Sequence, residues 1–237
     1  MINRLEECIK KSNNIVFFGG AGVSTESGIP DFRSNDGIYK KYNEDVEYLL
    51  SVDCLLNSPS KFYDFYWNNM IYLEAKPNKA HRILNALEKE NKLNAIITQN
   101  IDGLHQKAGS KKVLELHGNI NKNYCMKCGK KFELMSLYNN KEVPICDKCG
   151  ALIRPDVVLY GESLDENVVL ESVKAIQKAD LLIVGGTSLV VYPAAGLIDY
   201  YDGEELIYIN KNAGNIKNRK VIKIEEPIAE LFSRLKI

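Results

Sequence analysis

Seven apolar runs of strand length punctuate the chain, at residues 15–18, 95–98, 113–116, 157–160, 181–184, 206–209 and 221–224. They are short, rich in β-branched side chains and do not alternate with polar residues, a pattern that predicts strands buried on both faces. Between them the period changes. Residues 79–90 and 165–179 carry apolar side chains at three- and four-residue intervals, as amphipathic helices do. Strands and helices in alternation predict an α/β fold built on a mostly parallel, doubly wound sheet.

Two regions break the alternation. Residues 35–77 show no strand pattern and are rich in aromatics, with Phe62-Tyr63-Asp64-Phe65-Tyr66-Trp67 predicting a helical module packed beside the sheet. Residues 123–153 are rich in lysine and hold four of the six cysteines. Both are expected to be inserts that form a smaller lobe, leaving 1–34, 78–122 and 154–237 for the sheet. A length of 237 residues suits one domain with such inserts, and no repeat or low-complexity tract is evident.

Composition narrows the function classes. Thirty-one basic and 31 acidic residues give a net charge near zero, so there is no bulk electrostatic pull toward nucleic acid or anionic lipid. No apolar run approaches the length of a membrane span. The first ten residues alternate charge and apolar groups at helical spacing and lack the continuous apolar middle of a secretory signal, so a cytoplasmic location is expected. In that compartment cysteines are free or metal-bound more often than disulfide-linked.

The cysteines of the insert read Cys125-Met126-Lys127-Cys128, seventeen further residues, then Cys146-Asp147-Lys148-Cys149. Each C-x2-C offers two thiolates on a tight turn, and two such turns complete a tetrahedral zinc site. Four thiolates leave the metal no open position, so its expected role is structural. A redox dithiol is the competing reading. Gly129 and Gly150 follow the pairs and are expected to let backbone N–H groups approach sulfur without a Cβ in the way. Cys8 and Cys54 are expected to be ordinary buried or half-buried thiols.

Candidate chemistry gathers at the ends of the predicted strands, where open parallel sheets bind ligands. After the first run comes GGAGVSTESGIPDFRS, residues 19–34. Gly20 and Gly22 fit the first two positions of the dinucleotide-binding pattern G-x-G-x-x-G, but Thr25 stands at the third, and Pro30-Asp31-Phe32-Arg33 follows where a helix would continue. The second run ends in Gln99-Asn100-Ile101-Asp102 and the third leads into His117-Gly118, bringing amides, a carboxylate and an imidazole to one rim. The amides and carboxylate could equally serve as turn and cap chemistry. Gly185-Gly186-Thr187-Ser188 and Asn210-Lys211 end two more runs with groups able to meet phosphate or ribose oxygens. His81 and His105 have no such company and are expected on helix surfaces or behind the site.

Together these motifs resemble those of the sirtuin family, and most closely its bacterial NAD-dependent protein deacetylases. The resemblance rests on Gly20-Ala21-Gly22 through Arg33, Thr98-Gln99-Asn100-Ile101-Asp102, His117-Gly118, the four cysteines, Val158-Leu159-Tyr160-Gly161-Glu162, Gly186-Thr187-Ser188-Leu189 and Asn210-Lys211, in family order over nearly the whole chain. It implies a Rossmann-like parallel-sheet domain with a smaller zinc-ribbon and helical lobe. It implies NAD as co-substrate, one structural Zn2+, and acetylated lysine of proteins as partner. By the same resemblance Gly20, Ala21 and Gly22 approach the pyrophosphate with Thr25 and Arg33 nearby, and Asp31 and Phe32 open the cofactor-binding loop. Ile101 and Asp102 hold nicotinamide; Gln99, Asn100 and His117 address its ribose. Gly186, Thr187, Ser188, Asn210 and Lys211 belong to the ribose and adenine side. His117, with Asn100, carries the catalysis. Val158, Leu159, Tyr160 and Gly161, with Val191 opposite, resemble the edges between which a substrate peptide adds as a strand.

Relatives that prefer succinyl or malonyl groups resemble one another in a Tyr-x-x-Arg pair; here Tyr63 matches the tyrosine, but Tyr66 stands in the arginine position. Acetyl-lysine is therefore expected to be preferred. Two other readings stay open at this point: mono-ADP-ribosyl transfer, and a zinc-ribbon binding module using Lys107, Lys111, Lys112, Lys122, Lys127, Lys130 and Lys131.

Overall fold

The computed structural model of the protein describes residues 1–42, 44–138, 141–214, 216 and 220–236. Along them run α1 (Ile2–Lys11), β1 (Ile15–Gly19), α2 (Ile38–Lys41), α3 (Val46–Leu49), α4 (Val52–Asn57) and α5 (Pro59–Asn69). There follow α6 (Lys79–Lys89), β2 (Leu93–Thr98), α7 (Leu104–Lys107), β3 (Val113–Glu115), β4 (Gly118–Cys125), β5 (Lys131–Glu133) and α8 (Leu134–Tyr138). The chain then continues through β6 (Ile153–Val157), α9 (Glu166–Lys178), β7 (Leu181–Gly185), β8 (Glu205–Ile209), β9 (Lys220–Ile224) and α10 (Ile228–Ser233).

Six strands form one parallel sheet in the order β3-β2-β1-β7-β8-β9. Side chains alternate across it. Phe17, Ile96, Ile183 and Ile207 face a core shared with α1, α6 and α10, whereas Val16, Phe18, Ile97 and Val184 face α9 and the 3-10 turn Ala194–Tyr200. Both faces are covered, which is why these strands read as unbroken apolar runs. Full burial of each such side chain is worth about 1.5–3 kcal/mol, so the two faces dominate the stability of this lobe.

The run at 157–160 departs from expectation. Its strand is β6, which ends at Val157 and pairs antiparallel with β4 in a separate three-stranded sheet, β5-β4-β6. Val157 and Leu159 are apolar because they line the core of the small lobe, with Phe62, Tyr63, Tyr66 and Trp67 of α5. The segment beyond β6 is held by an ion pair between buried Arg154 and half-buried Glu162. The Arg154 guanidinium donates both ways to Glu162, at 2.5 and 2.7 Å, and its Nη2 also donates to the Val157 carbonyl at 2.9 Å. Burial alone would raise the Glu162 carboxyl; hydrogen bonding to Arg154 overcomes that and lowers it. The stabilisation this adds is present above the ordinary carboxylate range and is lost as pH falls through the lowered value.

Beside this sheet the four cysteine sulfurs lie within 4.8 Å of one another. Cys125 Sγ and Cys149 Sγ are 3.4 Å apart, Cys128 Sγ and Cys146 Sγ 3.7 Å. Zinc–sulfur bonds of about 2.3 Å in a tetrahedron would put sulfurs about 3.8 Å apart, so the donor set fits one zinc ion with all four positions filled by thiolate. The Cys128 N–H donates to Cys125 Sγ at 3.5 Å and leads the effects that pull that thiol down to about 6, favouring the thiolate. Gly129 and Gly150 have a different role from the one expected. A Cβ at either would meet nothing within 4 Å, but their φ angles are +67° and +69°. Glycine is needed to close each turn in the left-handed region, where Gly129 N–H and Gly150 N–H bond the Cys125 and Cys146 carbonyls.

Two stability tests follow from these contacts. Gly118 has φ +77° and its Cβ would stand 2.1 Å from the Asp156 carbonyl oxygen, whereas Gly28, at φ +86°, has open space around it. Gly118→Ala should cost about 3 kcal/mol or more and Gly28→Ala only about 1–2 kcal/mol; equal losses in urea unfolding would contradict this account. Purified protein should hold about one zinc per chain, and Cys128→Ser should lose it and melt about 10 °C lower, at roughly 2–4 °C per kcal/mol. Full zinc content with an unchanged midpoint in that variant would rule out a four-thiolate site.

Candidate functional site

The strand order of the large sheet reverses between β1 and β7, and open parallel sheets form their ligand crevice beyond the carboxyl ends of the strands at such a point. β1 runs into it through Gly19. Gly20 N–H then donates to the Gly185 carbonyl at 3.3 Å, and Gly22 N–H to the Gly186 carbonyl at 2.8 Å. The two turns lie too close for side chains: a Cβ on Gly22 would stand 2.8 Å from Gly186 Cα, and one on Gly20 2.9 Å from Thr187 Cβ. Gly186, at φ +62°, could carry a Cβ only 2.4 Å from the Val23 nitrogen. These glycines let two strand ends meet. Where a third glycine would start a long helix, Thr25 Oγ1 donates to the Gly22 carbonyl at 3.1 Å, and the chain makes two 3-10 turns, Ala21–Val23 and Thr25–Ser27.

Gln99, just past β2, ties three strand ends together. Its N–H donates to the Gly19 carbonyl at 3.0 Å, its Nε2 to Thr187 Oγ1 at 3.2 Å, and its carbonyl accepts from His117 Nδ1 at 2.9 Å. A carbonyl only accepts, so His117 carries its proton on Nδ1 and Nε2 is the basic nitrogen. Burial lowers the His117 pKa below that of an ordinary imidazole, against the opposing pull of the Gln99 carbonyl. The ring is therefore neutral at pH 7.

The polar residues after Gln99 converge on a serine. Ser24, almost fully buried, donates its hydroxyl to Asp102 Oδ2 at 2.6 Å and accepts from Asn100 Nδ2 at 3.1 Å. Asp102 Oδ1 caps α7 by accepting from Leu104 N–H at 2.8 Å. Burial raises the Asp102 carboxyl, and these two donors hold it down in part. Among the described residues no Lys or Arg forms an ion pair with it. Ile101 packs against the small-lobe core, and its carbonyl accepts from Ile120 N–H at 3.0 Å.

The 31–33 segment folds back on itself. Asp31 Oδ1 accepts from Arg33 N–H and Ser34 N–H at 3.0 and 2.7 Å, while Phe32 meets the Tyr39 ring edge-on and the Arg33 guanidinium lies 5.1 Å above the same ring. On the far wall, Val158 N–H donates to the His117 carbonyl at 3.0 Å and Tyr160 N–H to the Leu50 carbonyl at 3.1 Å. Ser188 and Lys211 are exposed, Val191 is half-buried, and the Asn210 amide is used locally by the Asn212 carbonyl at 3.0 Å. Among the described residues no hydrogen bond or ion pair joins these four to His117, Gln99 or Asp102.

Sequence reasoning overlooked Ser24, whose hydroxyl looks like ordinary turn chemistry until Asp102, 78 residues on, is brought to it. For two histidines it left open a helix surface or a place behind the site. His81 and His105 are on helices, α6 and α7, but not on their surfaces: both are buried, with ring centroids 4.7 Å apart. Burial lowers their pKa values to about 4 and about 3, so both rings are neutral packing groups behind the site.

Comparison with known proteins agrees with this geometry. Residues 20–193 match the Sir2 family. A Clostridium acetobutylicum protein named NAD-dependent protein deacetylase is 54% identical over 235 residues, covering 98% of this chain and 96% of the relative. A solved Sir2 with a deacetylated p53 peptide and 3'-O-acetyl ADP ribose superposes with a TM-score of 0.89 at 39% identity, covering 98% of this chain and 96% of the other. Another, described as Sir2 with p53 peptide and NAD+, gives 0.88 at 38% identity over 99% and 96%. The chain belongs to the Sir2 family.

Proposed function

We propose that this chain is an NAD-dependent protein-lysine deacetylase, which moves the acetyl group of acetyl-lysine to ADP-ribose and releases nicotinamide and O-acetyl-ADP-ribose. The observation that carries the reading is the bond from His117 Nδ1 to the Gln99 carbonyl, which leaves Nε2 as a neutral base at the rim of the crevice. The names of the relatives at about half identity support it.

When bound, NAD supplies an electrophilic ribose carbon on loss of nicotinamide, and a ribose hydroxyl that must give up a proton. The residues fit such a ligand. Asp102 is a buried carboxylate with a hydroxyl and a backbone N–H for partners and no cation, so a neutral amide donor such as the nicotinamide carboxamide suits it. In this reading Ile101 and Asp102 hold nicotinamide, Gln99 and Asn100 orient its ribose, and His117 Nε2 takes the hydroxyl proton. Gly20, Ala21, Gly22, Thr25, Asp31, Phe32 and Arg33 line the phosphates and nicotinamide ribose; Gly186, Thr187, Ser188, Asn210 and Lys211 take the remaining ribose and adenine.

Substrate backbone would add along Val158, Leu159, Tyr160 and Gly161, with Val191 opposite. Val158 and Tyr160 are bonded from behind by His117, Leu50 and Val52, which supports an outward edge for an incoming strand. Main-chain pairing of that kind implies loose peptide specificity. Action in the cytoplasm goes with this reading, and free thiols at Cys8 and Cys54 suit a reducing compartment.

The acyl preference rests on α5. Tyr63 donates its hydroxyl to the Ile153 carbonyl, and Tyr66 is buried without a partner for its own. The nearby cation, Arg154, is already neutralised by Glu162. An acyl carboxylate would have no free positive charge to meet there.

His117→Ala should keep the fold and lower kcat by about 10²–10⁴; near-normal turnover of an acetyl-lysine peptide would refute the assignment. Because the working form is the neutral ring and its pKa is depressed, the acid limb of kcat/KM should lie below about 6.5, with activity falling as pH drops through it. An acid limb at or above that value would contradict a buried neutral base. On matched peptides acetyl-lysine should exceed succinyl-lysine in kcat/KM by at least about 10²-fold, given a few kcal/mol for an unpaired buried charge; comparable values would overturn the acyl preference.

A further inference from the structure

Tyr39, on α2, is the meeting point of two segments that the proposed reaction uses. One face of its ring meets Phe32, with centroids 5.8 Å apart and planes at 63°, and the Arg33 guanidinium lies 5.1 Å from its centroid. The backbone closes the same unit, since Tyr39 N–H donates to the Phe32 carbonyl at 3.0 Å and Ile38 N–H to the Asp31 carbonyl at 2.9 Å. Gly37 sits so tightly inside that a Cβ would stand 2.7 Å from the Phe32 carbonyl carbon. Contacts of Tyr39 with Phe32 and Arg33 and the Ile38–Asp31 bond therefore tie residues 31–39 together.

The Tyr39 hydroxyl then leaves that segment and hydrogen-bonds the hydroxyl of Tyr160. Among the described residues this is the one hydrogen bond between 31–42 and 158–162. Tyr160 cannot shift freely to follow it. Its N–H is bonded to Leu50 and its carbonyl to Val52, at 3.1 and 3.0 Å, while the Glu162 carboxylate accepts from the preceding Leu159 N–H at 2.9 Å. Burial and the Tyr160 bond push the Tyr39 hydroxyl well above the ordinary phenol range, so it stays protonated. Its second neighbour is Glu47 Oε1, at 3.4 Å.

We infer that Tyr39 is a positioning residue that couples the two substrates: a peptide strand seated along Tyr160 fixes the phenol pair, and the pair fixes Phe32 and Arg33 over the dinucleotide. The inference rests on the deacetylase reading and deepens it. A peptide strand alongside 158–161 restricts Tyr160, and through one bond it restricts the ring that both Phe32 and Arg33 touch. Linkage requires the converse, that dinucleotide tightens peptide binding by the same factor.

The test uses full-length zinc-loaded protein, ADP-ribose as the unreactive dinucleotide probe, and one acetyl-lysine peptide, with both affinities measured by calorimetry in the absence and presence of the other ligand. Wild type should bind ADP-ribose at least about 5-fold more tightly with peptide, within the usual range of coupling. In Tyr39→Phe, which keeps the ring and removes the bond, that factor should fall to about 2 or less, with ADP-ribose affinity in the absence of peptide changing little. Tyr160→Phe, which leaves Tyr39 free to bond Glu47, should lower the factor equally, and the double variant no further. A purely structural role would lower the melting temperature and both separate affinities while sparing the factor. That result, or a wild-type factor near one, overturns the inference. Turnover of NAD with the acetylated peptide is followed alongside: a wild type that releases no nicotinamide overturns the deacetylase reading itself, and the coupling inference with it.

Discussion

The contact on which the rest of the structure depends is between two glycine turns, not between side chains. Gly22 N–H reaches the Gly186 carbonyl at 2.8 Å because neither turn carries a Cβ at the point of approach. That contact fixes the carboxyl ends of β1 and β7 at the switch in strand order. From it the other rim residues take their places: Gln99 bonds Gly19 on one side and Thr187 on the other, and its carbonyl sets the tautomer of His117. A one-methyl enlargement would act through backbone displacement rather than through lost contacts. The glycines of this crevice therefore have a structural duty before any ligand arrives, and backbone N–H groups at Gly20, Gly22 and Val23 already have carbonyl partners within the fold.

Electrostatically the surroundings of Asp102 are neutral donors around one carboxylate. His117, His81 and His105 are all pushed toward the neutral form by burial, and Asp102 is pushed toward protonation by the same cause. Ser24 and Leu104 N–H oppose that push on Asp102 without adding charge. Chemistry that builds positive charge on a sugar gains from a nearby carboxylate and from the lack of competing cations. In the small lobe the Arg154 guanidinium is occupied by Glu162. Among the described residues no cation is paired with Asp102, while Asp31 and Arg33 lie on the neighbouring 31–33 segment.

Six of the seven apolar runs are strands of the parallel sheet, and the sequence pattern locates α6 and α9 to within a residue or two. Runs buried on both faces and helices buried on one leave local signatures, so those elements are legible. The run at 157–160 is apolar for another reason, the small-lobe core, and four residues are too few to reveal which core they enter. Of the site, the strand-end residues Gln99, Asn100, Asp102, His117 and Thr187 were legible because a doubly wound sheet brings its carboxyl ends to one crevice. Ser24 was not, since its value depends on a partner 78 positions away, nor was the bond of Tyr39 to Tyr160 across 121. For the histidines of α6 and α7 the sequence left a helix surface and a place behind the site both open, because helical spacing shows which face a residue occupies but not what packs on it.

The large sheet and the zinc ribbon are each specified by local pattern, one by apolar runs and the other by paired C-x2-C turns. Where they meet, long-range polar bonds such as His117 carbonyl to Val158 N–H and Ile101 carbonyl to Ile120 N–H act beside the packing of Phe32 and Ile101 on the small-lobe core. Such bonds are few, and each contributes only about 0.5–1.5 kcal/mol net. A junction held that way has less local stability than the lobes it links, and it can respond to a ligand with a comparable differential binding energy. Strong, legible cores on either side and weak, illegible bonds between them are what a cleft needs if it is to close on two substrates without unfolding.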